Sequence, residues 1–291
     1  MPTVEQFTAD SPVGVPSAGH HPLFKAWVDP VGAIDGGQLP GLAALENWRV
    51  AAQMQDGLAR PAFCAQDAQL LADGLHYETR IAERGVLATR ERDPHDFFNA
   101  LVWLRHPRLK QALNARQVAD IACVGPKQRT RGQCALTHFD EAGAIVWIAD
   151  PKLVRLWDAH DWAGLFGTER AAWGDRIAVT VFGHALVEHV WRGHLLPGAK
   201  ALAVEVAPAC LRDQRPDSSG LLRGWPEMEA QVADAIAAGE LLADPQDQRP
   251  LPLAGLPGWH PSDTSAQFLR DAPCFRPLRA GRRYPPPMRC G

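Results

Sequence analysis

Residues 135–149 read Ala-Leu-Thr-His-Phe-Asp-Glu-Ala-Gly-Ala-Ile-Val-Trp-Ile-Ala. The two flanks are apolar and contain Val, Ile, Trp and Phe. The four residues Asp140-Glu141-Ala142-Gly143 between them end in glycine. That pattern predicts a β-hairpin, with strands over 135–139 and 144–149. On the first strand Cys134, Leu136 and His138 would share a face. A Cys134–His138 pair would then stand two pleat repeats apart, too far for direct activation. Asp140 and Glu141 read as turn residues.

A second hairpin is expected upstream, with strands over Leu75–Ala82 and Val86–Thr89 around Glu83-Arg84-Gly85. Downstream, Ile177–Phe182 and Lys200–Val206 read as single strands. Helices are expected over 42–56, over Asp67–Asp73 up to Gly74, and from Asp93-Pro94 through Leu104. Others follow over 107–122, 151–159, 161–172 and Gly183–Arg192, and after Pro226 up to Gly239. Asp-Pro is a strong helix opening, because Asp caps the first amides and Pro suits the first helical position. Strands thus occur singly or as hairpins between helices, without regular β-α-β alternation. The expected fold is a single α+β domain, with a mostly antiparallel sheet of five to six strands and helices packed on it.

Prolines concentrate at the two ends. Residues 1–40 are expected to form an irregular N-terminal arm, docked through Leu23, Phe24, Trp27 and Val28. Residues 41–243 would be the core. Residues 244–291 would be a Pro-rich wrap and Arg-rich tail without regular structure, held by Leu251, Leu253, Leu256, Trp259 and Phe268.

The 291 residues carry a net charge of -3, which argues against a general nucleic-acid binder. Arg276, Arg279, Arg282, Arg283 and Arg289 read as a solvated tail. No apolar run reaches the roughly 18 residues of a membrane span. The N-terminus has no signal-peptide pattern, so a soluble cytoplasmic protein is expected. The six cysteines are dispersed and read as free, mostly buried thiols. The phosphate-binding loop, the dinucleotide fingerprint, the G-x-S-x-G elbow and H-E-x-x-H are all absent from the sequence.

Two stretches could carry chemistry. In Asp93-Pro94-His95-Asp96-Phe97-Phe98-Asn99, His95 and Asn99 stack on one helical face with Asp96 beside them. His95 and Asp96 could begin an acid/base or metal site, or serve only the helix end. In Gly183–His194, His184 and Glu188 are four apart on one face. They could hold a divalent metal or form a helix-stabilising pair. His184 and His189 are five apart and cannot jointly face one zinc. A His-Asp dyad also occurs in HD-type phosphohydrolases, but these need an all-helical fold. Five of ten tryptophans fall between Trp147 and Trp191 and could wall a pocket beside His184 and Glu188.

Four segments resemble a bacterial family, domain of unknown function 3025. They are His95–Leu104, Leu136–Glu141, Gly183–Glu188 and Leu251–Trp259, which together span roughly 75–275. The resemblance implies one continuous domain of bacterial origin and supplies no reaction. The expectation is a non-catalytic protein that binds a small molecule or a protein partner. The alternative is a hydrolase or lyase, metal-assisted or not, using His95, Asp96, Asn99, His184 and Glu188 in one cleft. Neither a cofactor nor a metal is identified at this level. Separation of His95 and His184 by less than about 6 Å across an open pocket would favour the enzyme.

Overall fold

A computed structural model describes residues 21–26 and 39–290. Trp27 and Val28 lie outside the described residues. Among the described residues seven strands form two sheets. The smaller pairs β1 (Ala62–Ala65) with β2 (Val86–Thr89) in parallel. The larger has the order β4 (Ile177–Val181), β3 (Gly143–Ile148), β5 (Gly198–Glu205), β6 (Arg249–Pro252), and β7 (Met288–Arg289) also pairs with β5. β3 runs antiparallel to β4, with Val146 opposite Val179, and parallel to β5, with Val146 opposite Ala203. β6 is antiparallel and β7 parallel to β5. The fold is therefore α+β, but the main sheet is mixed and the small one parallel, not mostly antiparallel. Every residue of β3 is buried, as expected of a central strand covered on both faces.

Neither expected hairpin forms. Apart from β1 and β2, the regular structure described before β3 is helical: α1 (Pro22–Ala26), α2 (Leu42–Asp56), α3 (Ala68–Leu71), α4 (Tyr77–Arg84), α5 (Pro94–Arg105), α6 (Pro107–Val124) and α7 (Arg131–Ala142). In α4, Arg80 and Ile81 turn inward, and Gly85 closes the helix at φ 62. Glycine at positive φ serves a helix C-terminus as readily as a hairpin bulge, so Glu83-Arg84-Gly85 supports both readings locally. In α7 a capping box decides. The Gln133 amide donates to Thr130 Oγ1, and the Thr130 amide donates to Gln133 Oε1, both at 2.9 Å. Gly132, Ala135, Leu136 and Phe139 then form one buried helical face. Cys134 and His138 consequently lie on a helix rather than a strand.

The Asp-Pro openings hold. Asp93 accepts from the Asp96 amide at the start of α5, and Asp150 from the Lys152 amide at the start of α8 (Pro151–Asp158). Helical turns at Ala163–Thr168 and Arg170–Ala172 lead to β4. α9 (His184–Trp191) joins β4 to β5. α10 (Pro208–Asp213) and α11 (Pro226–Ala238) follow.

The C-terminal region is more regular than expected. It contributes β6, β7 and α12 (Ala266–Asp271), and its prolines at 250 and 252 sit in an edge strand, where a missing donor is tolerated. Leu251, Leu253, Leu256, Trp259 and Phe268 are all buried, as are Leu23 and Phe24 of the N-terminal region. One hydrophobic cluster runs from Leu23 to Cys290. All six cysteines are free, but only Cys290 is buried. Arg289 pairs with Glu205 at 3.2 Å, and Arg282 lies 4.4 Å over the Tyr284 ring. Among the described residues no helix is long and apolar enough to cross a membrane.

Candidate metal centre

Three helices converge on one point. Asp93 and Pro94 start α5, which sets His95 in its first turn. Gly183 ends the β4 segment and starts α9 at His184. The third helix, α7, ends in Asp140, Glu141 and Ala142 and runs into β3 without a loop. Close glycine contacts bring these ends together. A Cβ on Gly183 would lie 2.4 Å from the Gly143 nitrogen, and one on Gly143 would lie 2.2 Å from the Phe139 carbonyl. The amides of Phe182 and Gly183 both donate to the Gly143 carbonyl, at 3.0 and 2.8 Å.

His95 Nε2 and His184 Nε2 are 3.1 Å apart, with their rings edge to face. Glu141 completes a triangle, with Oε2 3.5 Å from His184 Nε2 and Oε1 4.0 Å from His95 Nε2. Around tetrahedral zinc, with Zn–N of about 2.0–2.1 Å, neighbouring ligand atoms are about 3.3 Å apart. The triangle is of that size. Behind His95, its Nδ1 lies 3.2 Å from Glu188 Oε2, and Glu188 Oε1 takes Arg192 at 2.8 Å. A carboxylate behind an imidazole fixes the ring and its tautomer, leaving Nε2 as the lone-pair atom.

Burial pushes the His184 imidazole down to about 4, against the pull of the Asp140 carboxylate. His184 is therefore neutral near pH 7 and keeps a lone pair for a cation. Burial pushes the Glu141 carboxyl up while His95 opposes it. A bound cation would relieve the cost of that charge.

Asn99 and Asp96 have other duties. Asn99 Nδ2 donates to Tyr77 OH at 2.8 Å, and its Oδ1 accepts from Lys110 Nζ at 2.9 Å. Lys110 Nζ also donates to Asp140 Oδ1 at 2.6 Å. Burial works against the Asp140 carboxylate, but Lys110 and His184 outweigh it and hold its pKa below the ordinary value. Asp96 is turned toward Arg90, accepting from its backbone at 2.7 Å and its guanidinium at 2.9 Å. Asp96 and His95 thus face different partners.

Of the residues singled out in the sequence, His95, His184 and Glu188 meet, while Asn99 and Asp96 support the walls. His184 and Glu188 do not share a ligand position. They address opposite nitrogens of the same His95 ring. Glu141 and Asp140, read as turn residues, belong to the site. The buried periodicity 132, 135, 136, 139 was the available signal, since it carries 140 and 141 onto a helix end. Among the described residues no tryptophan lines the cleft. Trp147 instead bonds Thr180 and packs on Trp225, and Trp162 and Trp173 stack with Phe166 in the core.

The triangle opens into a cleft of about 320 Å³, which Tyr77, Glu78, Arg129 and Thr137 also line. Among the described residues, His95, Glu141 and His184 are the group whose ligand atoms lie within 4.8 Å of one another.

The family model described as "Protein of unknown function (DUF3025)" matches residues 62–279. That span includes every residue of the triangle, Glu188 behind it and the cleft. No curated protein and no solved structure matches the chain. With about three quarters of its length matched, the chain belongs to the DUF3025 family.

Proposed function

We propose that the protein is a metal-assisted enzyme of hydrolase or lyase type. His95 Nε2, His184 Nε2 and Glu141 would hold one zinc-type divalent ion. The observation that carries this reading is the 3.1 Å approach of two imidazole Nε2 atoms, with Glu141 beside them and Glu188 behind His95. The non-catalytic expectation is weakened by the same distance, which is well inside the reach acid/base or ligand partners need.

Two His and one Glu are a ligand set that leaves a fourth position for water or substrate, as in catalytic rather than structural zinc sites. An ion there would lower the pKa of bound water and polarise a substrate oxygen. In hydrolysis, the water oxygen bonds to the electrophilic carbon or phosphorus and the bond to the leaving group breaks. The two water protons end on the products. His95, His184 and Glu141 would hold the ion, Glu188 orients His95, and the Lys110–Asp140–Asn99 network supports the wall. A cytoplasmic setting is part of the proposal, supported by six free cysteines.

The test is zinc and cobalt titration of untagged, metal-stripped protein by calorimetry and elemental analysis. One equivalent should bind, and His95→Ala, His184→Ala and Glu141→Ala should each abolish it with the fold retained by circular dichroism. Glu188→Gln should weaken binding about 10- to 100-fold, as changes behind a metal ligand do. Folded wild-type protein that takes up no stoichiometric metal would sink the reading. Metal binding without turnover of any ester, amide or phosphate would return it to a binding protein.

A further inference from the structure

We infer that the cleft takes a small anionic substrate, whose carboxylate or phosphate pairs with Arg129 while its reacting group lies at the His95–Glu141–His184 triangle. This inference rests on the proposed metal centre and adds the class of molecule that centre acts on.

The charges lining the cleft carry the argument. Four carboxylates line it: Glu78, Asp96, Asp140 and Glu141. Asp96 is paired with Arg90 at 2.9 Å and Asp140 with Lys110 at 2.6 Å. Glu78 accepts from Asn114 Nδ2 at 2.6 Å, and burial pushes its pKa up against that bond and the nearby charges of Lys110 and Arg129. Glu141 belongs to the triangle. Arg129 is the Lys or Arg side chain among the lining residues, and among the described residues it has no side-chain hydrogen bond or ion pair. Arg131 is held by Asp244, and Arg192 by Glu188. A divalent ion would outweigh the single charge of Glu141, and Arg129 adds a cation without a hydrogen-bonded partner at the cleft edge.

The backbone next to Arg129 is also anchored. Arg129 immediately precedes Thr130, which is fixed by its reciprocal bonds with Gln133 and by donation to Asp120 Oδ2 at 2.6 Å. A guanidinium on an anchored backbone at a cleft edge suits carboxylate or phosphate, both of which accept its paired N–H groups. At about 320 Å³ the cleft stands at the low end of small-molecule pockets, about 300–1,000 Å³, so the anion is a small one.

Cobalt-loaded protein provides the readout, because its visible absorption responds to ligands entering the metal's open position. Succinate and inorganic phosphate are titrated separately, with acetamide as the neutral probe. Wild type should bind at least one of the two anions, and whichever binds identifies the charged group as carboxylate or phosphate. Arg129→Gln should raise that anion's Kd about ten-fold or more, with Arg129→Lys between, while cobalt affinity and acetamide response stay unchanged. Equal anion affinity in wild type and Arg129→Gln, or no binding of either anion, would overturn the inference. If cobalt does not load, the metal-centre reading has failed by itself. Calorimetric anion binding to the metal-free protein then decides on Arg129: loss in Arg129→Gln upholds the anion site, and no difference removes it.

Discussion

At the scale of single residues, burial decides what each imidazole does. His184 is almost fully buried and neutral, so it can offer a lone pair. His21 is buried as well, and there the consequence is for stability. Its Nδ1 accepts from the Leu23 amide at 3.2 Å, and its ring meets Trp259 edge to face at 4.6 Å. Burial pushes its pKa down to about 4, against a contribution from the Trp259 backbone. The folded form therefore binds fewer protons than the unfolded chain between about pH 4 and 6.5. The stabilisation is full above 6.5 and is lost as pH falls through that window. Between pH 7 and 5 His21 should account for about 2 kcal/mol of lost stability. Urea unfolding at the two pH values checks this: His21→Asn, which keeps a capping acceptor, should lose less stability than wild type by about that amount. At this scale His95, His184 and Glu188 were legible, because imidazoles and a carboxylate on apolar helices stand out. Glu141 was not, because its role depends on where a helix ends rather than on what it is.

At the scale of elements, α7 holds the lesson. Residues 135–139 contain β-favouring types, and Gly143 looks like a turn residue. The capping box at Thr130 and Gln133 and the buried face at 132, 135, 136 and 139 outweigh that preference. β propensity is largely a statement about packing, so a helix that buries Leu136 and Phe139 satisfies the same residues. Gly143 then serves close packing rather than a turn, because Gly183 crosses it at backbone contact. Gly183→Ala would push a Cβ to 2.4 Å from the Gly143 nitrogen and 2.5 Å from the Ala142 Cα. Neither is a flexible side-chain end, so the α7–β3 and β4–α9 junctions must separate. The variant should lose about 1–3 kcal/mol in chemical denaturation. Because these junctions carry Glu141 and His184, its zinc affinity should fall more than that of an equally destabilised variant elsewhere. A Gly183→Ala protein with wild-type stability would contradict this packing account.

Across the whole molecule, buried polar pairs tie distant parts of one core. His106, at the corner between α5 and α6, approaches Glu229 of α11 at 2.8 Å, and both are buried. Glu229 Oε1 also accepts from the Trp225 amide. Burial works against the Glu229 carboxylate, but His106 holds its pKa below the ordinary value. Removing one partner leaves the other polar group without compensation. Glu229→Gln should therefore cost on the order of 3–5 kcal/mol, read as a lowered urea midpoint. The C-terminal segment is held in the same way. Arg249 donates to Asp158 and to the Pro285 carbonyl, both at 2.6 Å, and β7 adds to β5 so that Cys290 is covered.

The sequence by itself determined the local events. Asp-Pro starts, glycine stops, the helices of residues 94–105, 107–124 and 184–191 and the burial of the C-terminal apolar residues follow from capping, backbone conformation and period, which act over a few positions. The tertiary structure alone decided that β3 lies parallel to β5 and antiparallel to β4, and that residues 75–82 and 135–139 leave the sheet. It also brought His95 to His184 across 89 positions, with Glu141 beside them. Strand partners and ligand triangles are set by which buried faces fit together, and that depends on backbone approaches such as Gly183 against Gly143, between residues far apart in the chain.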